Sequence, residues 1–411
     1  MTSSPPAQAA ARERPDYAGA MIALACGMAF MWTALFLAVM PTMKHVSGAR
    51  DFVVYWATGQ QLAHHANPYD PVVMGAIERA AGYAGKPGSY YMRNPPWSLP
   101  LALPLGFFSV QAAALPWSLF IFGLLVLSVR MLLKILGRPG GPVGLLGYAF
   151  PPALTCVIMG QTSLFLLLGL VLFLRLHRTR PFWAGAALWF CTLKPHVLLP
   201  FAVVLLVWIV VSRNWRILLG ALAALAVSCG LTLCIDPSAF AQYLHWADRS
   251  GIGNEFIPCL SVALRDLVDP QAKWLVFVLC VPACLWALLY FRRHRQEWDW
   301  MEHGNLLVLI SLVVAPYCWL YDQSLALPAV LLAVSRTRSR LALASIAALY
   351  LLVVIQPFYA AGLHSALYLW PAPAWLAWYW ATRRLEADPD SGISSAAGTR
   401  PAAASRGAVH G

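Results

Sequence analysis

Seven clusters of basic residues cut this chain into apolar intervals, and that alternation limits its possible folds more than any other feature. The clusters are Arg12/Arg14, Arg130/Lys134/Arg138, Arg175/Arg178/Arg180, Arg213/Arg216, Arg292/Arg293/Arg295, Arg336/Arg338/Arg340 and Arg383/Arg384. Of the 411 residues only 11% are charged and 60% are hydrophobic, whereas a soluble domain carries about 25% charged residues. So long a chain with so little charge cannot cover itself with polar surface. Lipid must be the solvent for most of its outside, and the fold class is all-α and polytopic. The 18 tryptophans suit membrane–water boundaries.

Placing every basic cluster in the cytoplasm requires an even number of crossings between successive clusters. The intervals 139–174, 181–212, 217–291, 296–335 and 341–382 each divide into two apolar runs with an outward turn between them. The first interval, 15–129, holds an apolar run at 18–40, a long polar loop and one crossing at 111–135. The Pro-rich piece from Asn94-Pro95-Pro96-Trp97 to Phe108 is expected as a re-entrant or broken segment in the outer leaflet. This gives about twelve transmembrane helices with both termini inside. Residues 18–384 form the transmembrane domain, with the first outer loop and re-entrant segment at 41–110 and a second outer loop at 236–271. Residues 1–17 and 385–411, rich in Ala, Ser, Pro and Gly, are expected as disordered cytoplasmic ends. The run at 18–40 is too long for a signal-peptide core and lacks a convincing cleavage site, so it reads as a retained helix.

The clusters, with Arg400 and Arg406, put 20 of the 29 basic residues inside. Most of the remaining nine lie in the two long loops, where the charge rule binds weakly. Lys194 alone stands in a short outer turn and needs a reason. The net charge of +12 thus reflects cytoplasmic retention. No basic run interleaved with aromatics outside the spans suggests nucleic acid. The nine cysteines lie mostly in apolar runs, without disulfide or zinc spacing. No metal or cofactor is expected.

This topology gathers polar residues on the outer face: Asp51 and Tyr55 in the first loop, Arg93 and Asn94 before the Pro-Pro step, and Gln161 after Gly160. Lys194 and His196 follow in Leu193-Lys194-Pro195-His196, then Tyr317, Tyr321 and Asp322, and His364 near the last hairpin. Ionisable residues at membrane depth are costly and default to functional candidates. Carboxylates, a lysine and histidines beside a membrane suit transfer from a lipid phosphate. An acceptor hydroxyl needs a carboxylate to take its proton, the part for Asp51. A leaving phosphate needs cations, the part for Lys194, His196 and Arg93. Tyr55, Trp56, Gln161, Tyr317 and Asp322 would shape the site or touch substrate.

Six short motifs in order make the chain resemble glycosyltransferase family 87. They are Asp51-Phe52-Val53-Val54-Tyr55-Trp56, Asn67-Pro68-Tyr69-Asp70, Asn94-Pro95-Pro96 leading to Pro104-Leu105, Gly160-Gln161-Thr162-Ser163, Leu193-Lys194-Pro195-His196, and Pro316-Tyr317 followed by Tyr321-Asp322. Together they cover about residues 50–330. The resemblance implies the C-type glycosyltransferase fold and a polyprenyl-phosphate sugar donor, with mannose as the family's best-known case. It implies a lipid or glycan acceptor, Asp51 as base, and metal-independent inversion at the sugar carbon. One departure is that some members carry a histidine where Pro316-Tyr317 stands, so Tyr317 or His196 would take its part. The setting implied is a bacterial inner membrane with the site facing the periplasm.

Plainer readings compete. Asp51 would be a helix N-cap, Lys194 a snorkelling lysine, Gln161 a staple between helices, Asp322 a carboxylate that fixes a turn, and Arg93 a contact for lipid headgroups. His64, His65 and His364 read as surface residues. A transporter or lipid flippase is the main rival, and it predicts the polar cluster at the bilayer midplane. No internal repeat supports it. A scaffold predicts no cavity at Asp51, and a lipid-linked ligase or phosphotransferase differs only in its products.

Overall fold

With no water in a bilayer core, each spanning segment must satisfy its own backbone, and the apolar runs become helices for that reason. The computed structural model describes residues 17–39, 50–83, 92–137, 142–249, 255–360 and 362–387. Among them are helices and turns but no strand. The expected disorder at 1–16 and 388–411 falls outside the described residues, whereas Leu385 to Ala387 continue the last helix.

In chain order, α1 (Tyr17–Val39) is followed by two short helices, α2 (Phe52–Ala63) and α3 (Pro71–Ala80). The turn before α3 is an N-cap: Asp70 accepts from the amides of Val72 and Val73 at 2.9 and 3.2 Å, with Pro71 in the first turn. The Pro-rich piece is a broken helix, 3₁₀ over Pro96–Ser98, one α turn over Leu99–Ala102, and 3₁₀ again over Leu103–Phe107. There follow α4 (Val110–Ile135), α5 (Pro142–Tyr148), α6 (Pro151–Met159), α7 (Ser163–Leu176) and α8 (Pro181–Leu188). Beyond α8 two 3₁₀ turns, Trp189–Leu193 and Pro195–Leu198, flank Lys194. The chain continues through α9 (Leu199–Ser212), α10 (Trp215–Ile235), α11 (Ala239–Arg249), α12 (Leu260–Val268), α13 (Cys280–His294) and α14 (Asn305–Val314). A 3₁₀ segment, Leu320–Ala326, leads into α15 (Leu327–Arg336), α16 (Arg340–Ile355) and α17 (Pro371–Ala387).

Among the described residues six stretches are long and apolar enough to cross a membrane: Ala18–Ala38, Val110–Ile135, Pro195–Ser212, Trp215–Ile235, Lys273–Glu297 and Arg340–Phe358. The protein is thus an all-helical membrane protein. Its centre is α7, the 3₁₀ segment Leu320–Ala326 and α15, whose side chains are almost all buried. By contrast α10 leaves Leu219, Leu222, Val227 and Leu231 exposed, as a lipid-facing surface requires. Three basic clusters converge on one turn. Arg178 pairs with Asp299 at 2.6 Å, and Arg336 and Arg383 both pair with Glu302.

Glycines permit the closest helix contacts. A Cβ on Gly185 would lie 1.8 Å from the Ile217 carbonyl oxygen, and one on Gly220 1.9 Å from that of Phe182, so α8 and α10 meet backbone to backbone. Gly59 of α2 and Gly106 of the broken helix touch in the same way, a Cβ on Gly106 falling 2.0 Å from the Gly59 carbonyl oxygen. Gln60 Nε2 donates to the Gly106 carbonyl at 2.5 Å beside this contact. The helix that begins just after Asp51 is therefore set against the Pro-rich segment by a main-chain contact, which the Gln60 and Trp56 side chains reinforce.

Glu78 of α3 is 1% exposed, and its Oε1 has no hydrogen-bond partner among the described residues. Burial pushes its carboxyl up from 4.5 to about 8, against a smaller opposing effect of Arg79. Between those values the folded chain keeps a proton that the unfolded chain has released, so stability falls as pH rises through that window. Glu78→Gln should raise the unfolding midpoint in detergent at pH 8 and leave it unchanged at pH 4. Gly106→Val should destabilise by about 1–3 kcal/mol or more through overpacking, read as a lowered midpoint.

Candidate functional site

The site begins with a buried cation. Arg50 is 2% exposed. Its guanidinium donates to the carbonyl of Ile158, to that of Val157 at 3.1 Å and to Ser118 Oγ at 2.7 Å. Those carbonyls end α6, where a positive charge meets the negative end of the helix dipole. The same helix is closed by Gly160 in the left-handed region (φ 72°), with the Gln161 amide donating back to Cys156 O at 3.0 Å. A Cβ on Gly160 would lie 2.6 Å from Phe52 Cβ. Only glycine there lets the Arg50–Phe52 turn rest on the Gly160–Gln161 turn, and this contact brings Asp51 to Gln161.

Asp51 is 9% exposed and precedes α2 without capping it, since its side chain makes no cap hydrogen bond. Instead its Oδ2 accepts from Gln161 Nε2 at 2.7 Å. Asp51 Oδ1 makes no hydrogen bond among the described residues. Tyr55, one turn on and on the same face, donates to Gln161 Oε1 at 2.8 Å. Lys194 Nζ donates to the same oxygen at 3.1 Å. The polarity of the amide is dictated chemically: an ammonium only donates and a carboxylate only accepts, so Oε1 must face Lys194 and Nε2 must face Asp51.

Lys194 is held in an extended conformation (φ −139°, ψ 72°) by the proline that follows it. Asn94 Nδ2 donates to the Leu193 carbonyl and Trp97 Nε1 to that of Thr192, both at 3.2 Å, so the Pro-rich segment braces the lysine turn. Lys194 also reaches Asp322 Oδ1 at 2.7 Å and Ser163 Oγ at 3.1 Å. Asp322, 1% exposed, further accepts from Ser163 Oγ at 2.6 Å and from the Trp319 amide at 3.0 Å. A buried carboxylate so fully engaged fixes the turn that carries it.

These groups open on one cavity of about 510 Å³, lined by Asp51, Tyr55, Gln161, Lys194, Asp322, Tyr317, His196 and Arg93 among others. The volume is in the range of small-molecule sites. Arg93 uses Nη2 to reach both carboxylate oxygens of Glu255, at 2.7 and 2.6 Å. His196 stacks on Tyr317 with ring centroids 3.8 Å apart. The ring nitrogens of His196 and the Nε and Nη1 of Arg93 make no hydrogen bond among the described residues.

Eight of the nine residues singled out in sequence therefore share a cavity. Trp56 does not line it. Its ring turns away, and Nε1 donates to the Phe108 carbonyl at 2.9 Å, because Trp56 lies about 100° around the helix from Tyr55. His364, read as a surface residue, is exposed and also borders the cavity, with Nδ1 3.1 Å from the Phe256 carbonyl oxygen and its ring edge-on to Trp319. Sequence reasoning gave no individual part to Arg50, which adjoins Asp51, or to Ser163, which closes the Gly160-Gln161-Thr162-Ser163 motif. Glu255 and Tyr243 were legible only as members of a polar loop. No group of three or more His, Cys, Asp or Glu suited to a metal occurs among the described residues.

Fold and site define a polytopic membrane protein with a carboxylate-bearing polar cavity between its helices. The sequence model of glycosyltransferase family 87 matches residues 91–316, more than half of the chain, and the chain belongs to that family. It is accordingly a membrane glycosyltransferase. No curated protein and no solved structure gives a match. The matched stretch contains Arg93, Gln161, Lys194 and His196 but begins after Asp51 and Tyr55 and ends before Tyr317 and Asp322, so those four join the site through geometry.

Gly160→Ala should be strongly disruptive, since it forces a side chain into a left-handed backbone and against Phe52. The expected result is a lower unfolding midpoint and loss of transferase activity. Gly123→Ala, where a Cβ meets nothing within 4 Å, should preserve both.

Proposed function

We propose that this glycosyltransferase moves a hexose from a polyprenyl-phosphate sugar to a hydroxyl of a lipid or glycan acceptor, with Asp51 as the general base. The observation that carries the reading is the state of Asp51. One of its oxygens is held by Gln161 and the other faces the cavity with no partner among the described residues. A base must be fixed and yet have a lone pair to offer.

In the step proposed, the acceptor oxygen attacks the anomeric carbon while its proton passes to Asp51. The bond from that carbon to the phosphate oxygen breaks, and its electron pair leaves with polyprenyl phosphate. A single displacement inverts the sugar carbon. Arg93 and His196 line the cavity and offer donors with no partner among the described residues for the charge that grows on the phosphate. Tyr317, packed against His196, orients the imidazole. Tyr55 and Asp322 shape the floor through Gln161 and Lys194.

The setting proposed is a bacterial inner membrane, with about twelve crossings, cytoplasmic termini and a periplasmic site. Six long spans are present among the described residues, and in this reading the remaining crossings come from the shorter apolar helices Gly144–Met159, Ser163–Leu176, Pro181–Leu193 and Trp300–Val314 and the helices ending at Arg336 and Ala387. The broken helix at 96–107 is then the re-entrant piece, tolerated at depth because it borders a cavity.

The test is transfer from radiolabelled polyprenyl-phosphate sugars by the purified protein. Asp51→Asn should lower kcat by about 10²-fold or more while donor KM stays near wild type. Arg93→Gln should chiefly raise donor KM. Failure of the folded wild type to use any such donor would overturn the reading.

A further inference from the structure

We infer that Lys194 is a positioning residue that acts on Asp51 through the Gln161 amide, and that the donor phosphate is held without it. The inference rests on the reading of Asp51 as the base. An ammonium has three N–H groups. Those of Lys194 meet Asp322 Oδ1 at 2.7 Å, Ser163 Oγ at 3.1 Å and Gln161 Oε1 at 3.1 Å. The Tyr321 ring covers another approach, its centroid 4.6 Å from Nζ. The lysine side chain is 11% exposed and Asp322 1%. A phosphate at Nζ would have to displace one of three short contacts and strip a buried carboxylate of a partner, a costly exchange. Arg93 needs no such exchange, because among the described residues only its Nη2 is engaged, with Glu255.

What Lys194 does control is the orientation of Gln161. With the amide reversed, its NH₂ would face the ammonium and its oxygen would face the Asp51 carboxylate. Both contacts would become repulsive. The charge on Lys194 therefore locks the amide so that Nε2 anchors Asp51 Oδ2, leaving Oδ1 toward the cavity. Tyr55 reinforces the lock by donating to Oε1 at 2.8 Å, and Tyr321 accepts from Nε2 at 3.2 Å.

The experiment uses full-length protein in lipid nanodiscs and two readouts: binding of a short-chain prenyl monophosphate, and transfer kinetics. Lys194→Met alone would leave Asp322 as an unpaired buried charge, so the working variant is Lys194→Met/Asp322→Asn, which removes both charges together. It should bind the prenyl phosphate within about threefold of wild type, whereas Arg93→Gln should weaken binding about tenfold or more, as loss of a charged hydrogen bond does. In transfer it should lose about 10–100-fold in kcat with donor KM nearly unchanged. Gln161→Leu should show the same split, and combining it with Lys194→Met/Asp322→Asn should cost no more than either alone, since both break one chain of contacts. A tenfold weaker affinity for the prenyl phosphate in the charge-pair variant, or losses that multiply with Gln161→Leu, would overturn the inference and leave Asp51 as base intact. Transfer that survives Asp51→Asn would overturn the base reading itself.

Discussion

The site depends on a charge that never touches the cavity's contents. Arg50 lies against the carbonyl end of α6, and its bonds to Val157, Ile158 and Ser118 tie the start of α2 to α4 and α6. Asp51 is the next residue, so the clamp places its main chain, while Gln161 orients its carboxylate. The arrangement separates two demands. The cost of burying a guanidinium is offset by helix-terminal carbonyls that need a donor, and the neighbouring carboxylate is left with one oxygen uncommitted. A carboxylate that capped α2 in the ordinary way would have spent its lone pairs on backbone amides.

From Asp51 the polar contacts run as a chain of alternating donors and acceptors: carboxylate, amide, ammonium, carboxylate. Each member can play only one role toward its neighbour, and Gln161 is the single group with both. This is why Gln161 lies at the centre although it carries no charge. In a low-dielectric interior such a chain is rigid when complete and unfavourable when broken. The main-chain turns that present its members differ in kind. One is a left-handed glycine, one an extended residue before proline, and one a 3₁₀ segment.

Much of this was legible in the residues. Composition and the spacing of arginines gave a helical membrane protein. The exception to the charge rule, Lys194, proved to share a cavity with Asp51. Order along the chain could not say how the two meet, because that depends on Gly160 bringing two distant turns into contact. The direction of a side chain was similarly out of reach: Trp56 and Tyr55 are neighbours in sequence, yet only Tyr55 faces the cavity. The pairing of Arg93 with Glu255 joins residues 162 apart, and no local pattern announces it. Arg50 was counted as a loop charge, since nothing in a sequence tells a buried arginine from an exposed one until the helix end it serves is placed beside it.

The contact between Gly59 and Gly106 bears on how such a cavity can be remodelled. Because Gly59 and Gly106 meet main chain to main chain, a side chain added at either would part the two elements. The wall behind Asp51 is thus a fixed template. Elsewhere the cavity is lined by Tyr243, Glu255 and His364, which come from separate segments. Divergence toward a bulkier or differently charged acceptor is easier at those side chains than at the glycine contact, so related enzymes with altered substrates should differ there and keep the paired glycines.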